Sequence, residues 1–444
     1  MSKGKSITLL SILSVIVAFV LVMTFIRFPV GVKNYNSLLG AIDLDYDLAG
    51  GTAYTYKLAS DNEDEVDDNI NTVLDVLEYR LGELGYGAYS VKAIRSTQAG
   101  VEDYKIRIET KTTDTLESDM KVVMAHGELK FFGGTSEDNI STEILQDMQV
   151  IKSAKYKGEV TTGSYEIDIE FTKQAYDELV KLIEADATYF LKITLGETEE
   201  GEENVIFKDQ ISKDYFTKKR VMPLYSEVAS AAKQMALQMQ SGGLKYKYEV
   251  EDVAKVTSPY GKDVALKCAV AIITLVLVLM IIEVLYYKGF GVIVALSTLL
   301  FILGEGWLLI DVPNIVLNMG GVVGICFATV LCGIGMVILA KRVKEEFVNS
   351  KKTVKAAVNK GFKQAIVPTI NINVIAGLFA LALFAFTKGV VQCFAITFGI
   401  GAVVSLISTL VFTRMYNALI MPLVKNKEKF LSFKREPETA KKEA

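Results

Sequence analysis

The stretch LCGIGMVILAKRVKEEF, residues 331–347, decides the class of the fold. Its first ten residues are apolar or small, and they run without interruption into Lys341, Arg342, Lys344, Glu345 and Glu346. Such a segment suits hydrocarbon up to Ala340 and needs water beyond it, so it reads as a membrane span ending in a basic cytoplasmic turn. No Asp or Glu lies between Pro313 and Ala340.

Working outward, apolar runs occupy residues 7–26, 264–285, 290–310, 315–340, 365–386 and 390–412. Each is near the roughly 20 residues that cross a bilayer, which predicts six spans, one N-terminal and five C-terminal. The first run follows Lys3 and Lys5, as a signal peptide would, yet it is longer than a signal core and IRFPVG after it offers no small-x-small cleavage site. It reads as a retained anchor. Eight Lys and Arg between Lys341 and Lys363, and Lys425, Lys427, Lys429, Lys434 and Arg435 in the tail, put those segments on the cytoplasmic side. Both termini are then cytoplasmic, and residues 28–262 lie outside the membrane.

That outer segment carries 42 Asp and Glu against 26 Lys and Arg, about −16, while the remainder is basic. The balance suits a solvated surface and argues against nucleic acid as a partner. All four cysteines, Cys268, Cys326, Cys332 and Cys393, fall in apolar runs, so the outer segment has neither a disulfide framework nor a cysteine zinc site. The single histidine, His126, has no nucleophile motif beside it, no P-loop pattern occurs, and the acidic clusters DNEDEVDD and GETEEGEEN lack the ligand spacing of a calcium loop. No catalytic site, cofactor or metal is expected.

Within the outer segment the strand TAYTYKL, a helix with Val66, Ile70, Val73, Leu74, Leu77, Leu81 and Leu84 on one face, the strands AYSVKAI and YKIRIET, the helix TLESDMKVVMAH and the strand ELKFFGG give the order β-α-β-β-α-β. This predicts a split βαβ, ferredoxin-like α+β base. YEIDIEF, TKQAYDELVKLIEA, TYFLKITL, VIFKD, SEVASAAKQMALQM and KYKYEVEDV form an additional α/β lobe. The expected organisation is an anchor at 1–27, the base at 28–133, a head lobe with a return strand at 134–262, a five-helix membrane domain at 263–424 and a basic tail at 425–444.

Several stretches together resemble the SecD family of protein-export membrane subunits. YDLAGG matches that family's GLDLxGG motif with Asp47, Leu48, Gly50 and Gly51 in register, and VTSPYGKDV keeps Pro259 and Gly261 of its re-entry turn. RVKEE, with Arg342, Glu345 and Glu346, the segment KTVKAAVNKGFKQAIVPTI and CFAITFGIGAVVSLISTLVFTR follow in the family's order. The resemblance implies a membrane domain like those of resistance-nodulation-division transporters, a SecF-like partner, the SecY/SecE/SecG channel, membrane lipid and translocating polypeptides as further partners, and a place in the cytoplasmic membrane. It also implies a proton relay of two D-x-N patterns, and there this chain departs. Counted back from RVKEE, Ile334 stands at the Asp position and Met336 at the Asn position; in the next span Asn371 replaces Asp and Asn373 keeps Asn. The remaining carboxylates of the apolar runs are Glu283 and Asp311, expected near the membrane interfaces, and the deeper Glu305. Three readings follow: an export accessory subunit whose proton path lies in the partner or at Glu305, a proton-independent scaffold or holdase subunit, and half of a small-molecule or lipid efflux transporter.

Overall fold

The computed structural model describes residues 3–26, 28–30, 33–35, 37–59, 70–98, 101–137, 140–146, 148–185, 188–197, 203–216, 220–244, 246–312, 315–349, 353–431 and 433. The cluster DNEDEVDD, most of GETEEGEEN and most of the basic tail lie outside them. The chain divides into two compact units, one formed by Met1–Gly50 with Thr257–Ala444, the other by Gly51–Val256.

The first unit is helical. Among the described residues five helices are long and apolar enough to cross a membrane: Lys3–Phe25, Val264–Asp311, Met319–Asn349, Val354–Phe386 and Gly389–Ile420. The second of these has 48 residues, and at Lys288 its backbone leaves the helical region (φ 52, ψ −122). The chain reverses there. Three residues on, Gly291 passes so close to the backbone of Glu283 that a Cβ would overlap it. Small residues set the remaining contacts in the same way, because without a hydrophobic driving force membrane helices associate by close backbone approach. A Cβ on Gly320 would strike Val390, one on Gly324 would strike Thr397, and one on Gly361 would strike Val343. Around these contacts Phe290, Phe301, Cys332, Met336, Leu339 and Phe362 form the core.

In the second unit the first sheet has the order Tyr248–Val256, Gly51–Leu58, Val101–Thr110, Tyr89–Gln98, antiparallel throughout. Helices Ile70–Glu83 and Leu116–Val123 bury Leu77, Leu81, Met120 and Val123 with Ile106 and Ile108 of that sheet. Val73, Leu77 and Leu81 thus face the core as read from sequence and Ile70 and Leu74 pack against its edge, while Leu84, past the end of the helix, is exposed and Val66 lies outside the described residues.

One strand assignment is corrected. ELKFFGG does not close the first sheet; Leu129–Gly134 pairs with Tyr189–Glu197 and Thr142–Ile144, and the fourth place is taken by Tyr248–Val256. Alternation marks a strand without naming its neighbour, and here long-range contacts choose. The chain leaves along 124–128 and returns along 242–244, side by side: Gly127 N–H donates to Leu244 O at 3.0 Å, and His126 bridges Leu244. Gly127 (φ 119) and Gly243 approach so closely that a Cβ on either would overlap a neighbouring backbone. Arg80, fully buried, locks the crossing. Its Nη1 donates to Val123 O (2.8 Å) and Ala125 O (2.7 Å), Nη2 to Gly242 O (2.8 Å), and Nε to Ser241 Oγ (2.9 Å). Between the two crossings lie a four-stranded and a three-stranded sheet with helices Lys173–Ala185 and Ala229–Ser241 around Phe131, Ile167, Phe171, Leu179, Leu191 and Met222. The strands Ile151–Thr161 and Val221–Ser226 of this region, the second of which alternates with Met222 and Leu224 buried, were not assigned from the sequence.

Candidate functional site

Two residues apart on a helix is about 200°, so the two members of each D-x-N position must face opposite ways. Ile334 is 43% exposed, while Met336 is fully buried and accepts a hydrogen bond at Sδ from Thr413 Oγ1 (3.3 Å). On the next helix Asn371 is exposed, whereas Asn373 is buried and donates through Nδ2 to Thr369 O (2.9 Å). Gly335 packs against Thr369 and Thr409, which brings the two helices and the last one together at this level. Both positions where the family's pattern has Asp therefore lie on the surface of the helical unit; both Asn positions lie inside it. Val330 and Val337 flank Ile334, and Val367, Val374 and Ile375 flank Asn371, as exposed apolar side chains. Asn371 is a hydrogen-bonding group on an apolar face.

The three carboxylates separate by burial. Asp311, at the end of its helix, is exposed. Glu283 differs from the interfacial place expected of it: it is 1% exposed and accepts from Thr298 Oγ1 at 3.1 and 3.2 Å. The reversal at Lys288 causes this, since the returning helix crosses over Glu283 at Gly291. Glu305 is fully buried, and among the described residues neither carboxylate oxygen has a hydrogen-bond partner. It fills the notch left by Gly401, where a Cβ would lie 2.6 Å from its Oε1 and would also overlap Ala328. Two turns further along, Ser408–Phe412 forms a π-helical turn, a feature common at functional positions. Ser408 Oγ donates there to Ser297 O at 2.6 Å.

The family-motif residues take structural parts. Asp47, in the short helix Tyr46–Ala49, accepts from Met319 N–H through Oδ2 (2.7 Å), capping helix Met319–Asn349. Burial pushes its carboxyl above the ordinary carboxylate value, and the Met319 bond partly offsets this. Asp45 N–H donates to Leu317 O and Leu317 N–H to Asp43 O, so the loop lies against the start of that helix as a short ladder. Leu48 is buried beside Val264, Leu309, Leu317 and Val322. Gly50 (φ 82) ends the short helix, and Gly51 approaches Thr110 too closely for a side chain. Ser258 Oγ donates to Asp47 O (2.5 Å), ahead of the turn made by Pro259 and Gly261 (φ 93). At the basic turn Arg342 pairs with Glu345 (3.1 Å), and Glu346 meets both Lys360 (2.8 Å) and Gln364 (2.8 Å) of the following helix. The sequence reading missed Arg80, Asp45, Ser258 and the cap made by Asn318, whose Oδ1 accepts from Gly321 N–H. Asn318 two residues before a glycine pair was a legible capping signal; Arg80 in an amphipathic helix was not. Among the described residues no group of three or more His, Cys, Asp or Glu is placed to hold a metal ion.

Long apolar helices packed through glycine, with carboxylates inside and a large sheet-rich unit in the same chain, define a polytopic membrane protein with a folded extramembrane domain. Residues 236–421 match the family description "Protein export membrane protein SecD/SecF, C-terminal". Protein translocase subunit SecD of Acidaminococcus fermentans is 24% identical over 93% of this chain and 91% of its own length. Protein translocase subunit SecDF of Brucella abortus is 29% identical over 45% of this chain and 26% of its own. A crystal structure of SecDF in its super-membrane-facing form has a TM-score of 0.71 at 18% identity, covering 95% of this chain; this chain spans 58% of that one. The chain is SecD-like along nearly its whole length, and its fold is that of the corresponding part of SecDF.

Proposed function

We propose that this chain is an accessory subunit of protein translocation that handles an emerging polypeptide outside the membrane, with the family's usual relay aspartates replaced. The observation that carries the reading is the SecD likeness over 93% of the chain, together with the Asp47 cap that gives the family's motif a structural role. The 48-residue helix reads as two crossings broken at Lys288, which makes six in all. With the basic segments inside, both termini are cytoplasmic and the Gly51–Val256 unit is outside. The sheet order that begins with Tyr248–Val256 supports a ferredoxin-like base, and the segment between the two crossing strands is the head lobe. The subunit acts without covalent chemistry.

A SecF-like partner covers the faces that carry Ile334 and Asn371. The SecDF fusion in the Brucella relative supports such a pairing. Isoleucine cannot titrate and the Asn371 amide has no proton to give up, so this face hydrogen-bonds and packs but does not relay. The lobe meets its substrate by shape and apolar contact, because an acidic surface repels acidic stretches of a passing chain. The test is site-specific photocrosslinking in the complete membrane assembly. Probes at Tyr225, Val205 and Val160, all exposed in the lobe, are expected to capture an arrested secretory precursor. Crosslinks only to lipid or only within the domain would remove the handling role.

A further inference from the structure

We propose that Glu305 is a proton-binding site inside the membrane unit, the upper end of a polar column that runs to Glu283. The column is internal to this chain and separate from the exposed positions at Ile334 and Asn371. It starts at the Gly401 notch, where the Glu305 carboxyl lies against Gly401 and Ala328. One turn along from Gly401 comes Ser405, then Ser408, both fully buried. Ser408 bonds to the carbonyl of Ser297, and the adjacent Thr298 bonds to Glu283. Cys332, one turn from Ala328 and fully buried, lies within reach of Ser405 and Ser408 from the third helix. Thr298 and Glu305 are seven residues apart on one face, which is about 10 Å along a helix. The π-helical turn Ser408–Phe412 widens the helix where the column crosses it, with Thr413 Oγ1 returning to Ser408 O at 3.2 Å.

The chemistry selects a proton. An ionised carboxylate at Glu305 would face neither a cation nor a hydrogen-bond donor among the described residues, an arrangement strongly disfavoured away from water. A hard metal cation needs several oxygen ligands, and among the described residues no group of three or more His, Cys, Asp or Glu is placed to hold one. The titratable groups that face it are the thiols of Cys326 and Cys332 on helix Met319–Asn349. Helix Gly389–Ile407 presents Gly401 and hydroxyls. A membrane carboxylate that faces no counter-charge and lies at the end of a row of buried hydroxyls aimed toward a second acid can accept and release a proton as the helices shift.

The test is carboxyl labelling of the full chain in lipid vesicles with dicyclohexylcarbodiimide, an apolar reagent that adds to protonated carboxyls, followed by peptide mapping. Glu305 is expected to be labelled at least tenfold more than the exposed Asp311 at neutral pH, with labelling falling as the pH is raised. The infrared carbonyl band of a protonated carboxyl is expected to disappear in Glu305→Gln and to remain, shifted, in Glu305→Asp. Labelling no greater than that of Asp311 would overturn the proposal. So would labelling that is independent of pH, which marks a buried acid that never exchanges, or labelling suppressed by sodium ions, which marks a metal cation site. The labelling readouts are taken on the wild-type chain, so a poorly folding variant leaves that arm of the test intact.

Discussion

Replacing Arg80 by methionine probes the crossing between the two halves of the sheet-rich unit. The guanidinium is fully buried and donates four hydrogen bonds, three of them to the carbonyls of Val123, Ala125 and Gly242. Methionine keeps the apolar stem and removes every donor. A buried acceptor left without its partner costs about 1–3 kcal/mol, and three are affected. Against this, the variant no longer desolvates a charge, which returns part of the loss. The net expectation is a loss of about 2–4 kcal/mol. For a unit of about 200 residues each kcal/mol lowers Tm by about 2–4 °C, so the fall is about 4–16 °C. Differential scanning measurements on the full chain in detergent read the shift, and amide exchange reads its location, expected in residues 123–128 and 241–244. Lys181→Met, on an exposed helix face, serves as the control and should stay within about 0.5 kcal/mol. A Tm within about 2 °C of wild type, with exchange at the crossing unchanged, would refute the claim that Arg80 locks it.

Asp47→Ala removes the acceptor that caps helix Met319–Asn349 and should cost the membrane unit about 0.5–2 kcal/mol, seen as faster amide exchange over residues 318–322. Because the folded carboxyl titrates above its unfolded value, the native state binds that proton more tightly; its contribution to stability falls as pH rises through the window between the two, and Asp47→Asn should flatten that slope in pH-dependent unfolding. Gly324→Leu should overpack the contact with Thr397 by about 1–3 kcal/mol or prevent assembly, detectable as loss of a monodisperse peak in mild detergent. Asn371→Leu should weaken co-purification of the partner by about 0.6–2 kcal/mol, roughly 3- to 30-fold, and Asn371→Asp should not confer gradient-driven export.

The membrane class was legible because apolar runs of bilayer length and basic turns are one-dimensional signals. The reversal at Lys288 was legible too, as the charged break between runs 264–285 and 290–310. What depended on packing was not. Glu283 looks interfacial by its distance from the end of a span, and only the returning helix passing Gly291 shows that it is covered. ELKFFGG alternates as well as KYKYEVEDV does, so choosing which of them completes the first sheet required the crossing held by Arg80. The family motif around Asp47 could be recognised without its mechanism, since the helix it caps begins 272 residues later. That Ile334 and Asn371 face outward while Met336 and Asn373 face inward follows from helix geometry, but which side is outward needed the neighbouring helices.

The central claim, that this chain assists translocation by holding a polypeptide outside the membrane, is tested most directly in vesicles that contain the Sec channel and the SecF-like partner. The measurement is the protease-protected fraction of a secretory precursor stalled midway, with and without this chain. The account predicts that vesicles carrying the chain retain the stalled intermediate and complete its transport, while vesicles lacking it let the precursor slide back. Equal protected fractions, with the partner and channel present in equal amounts, would contradict it.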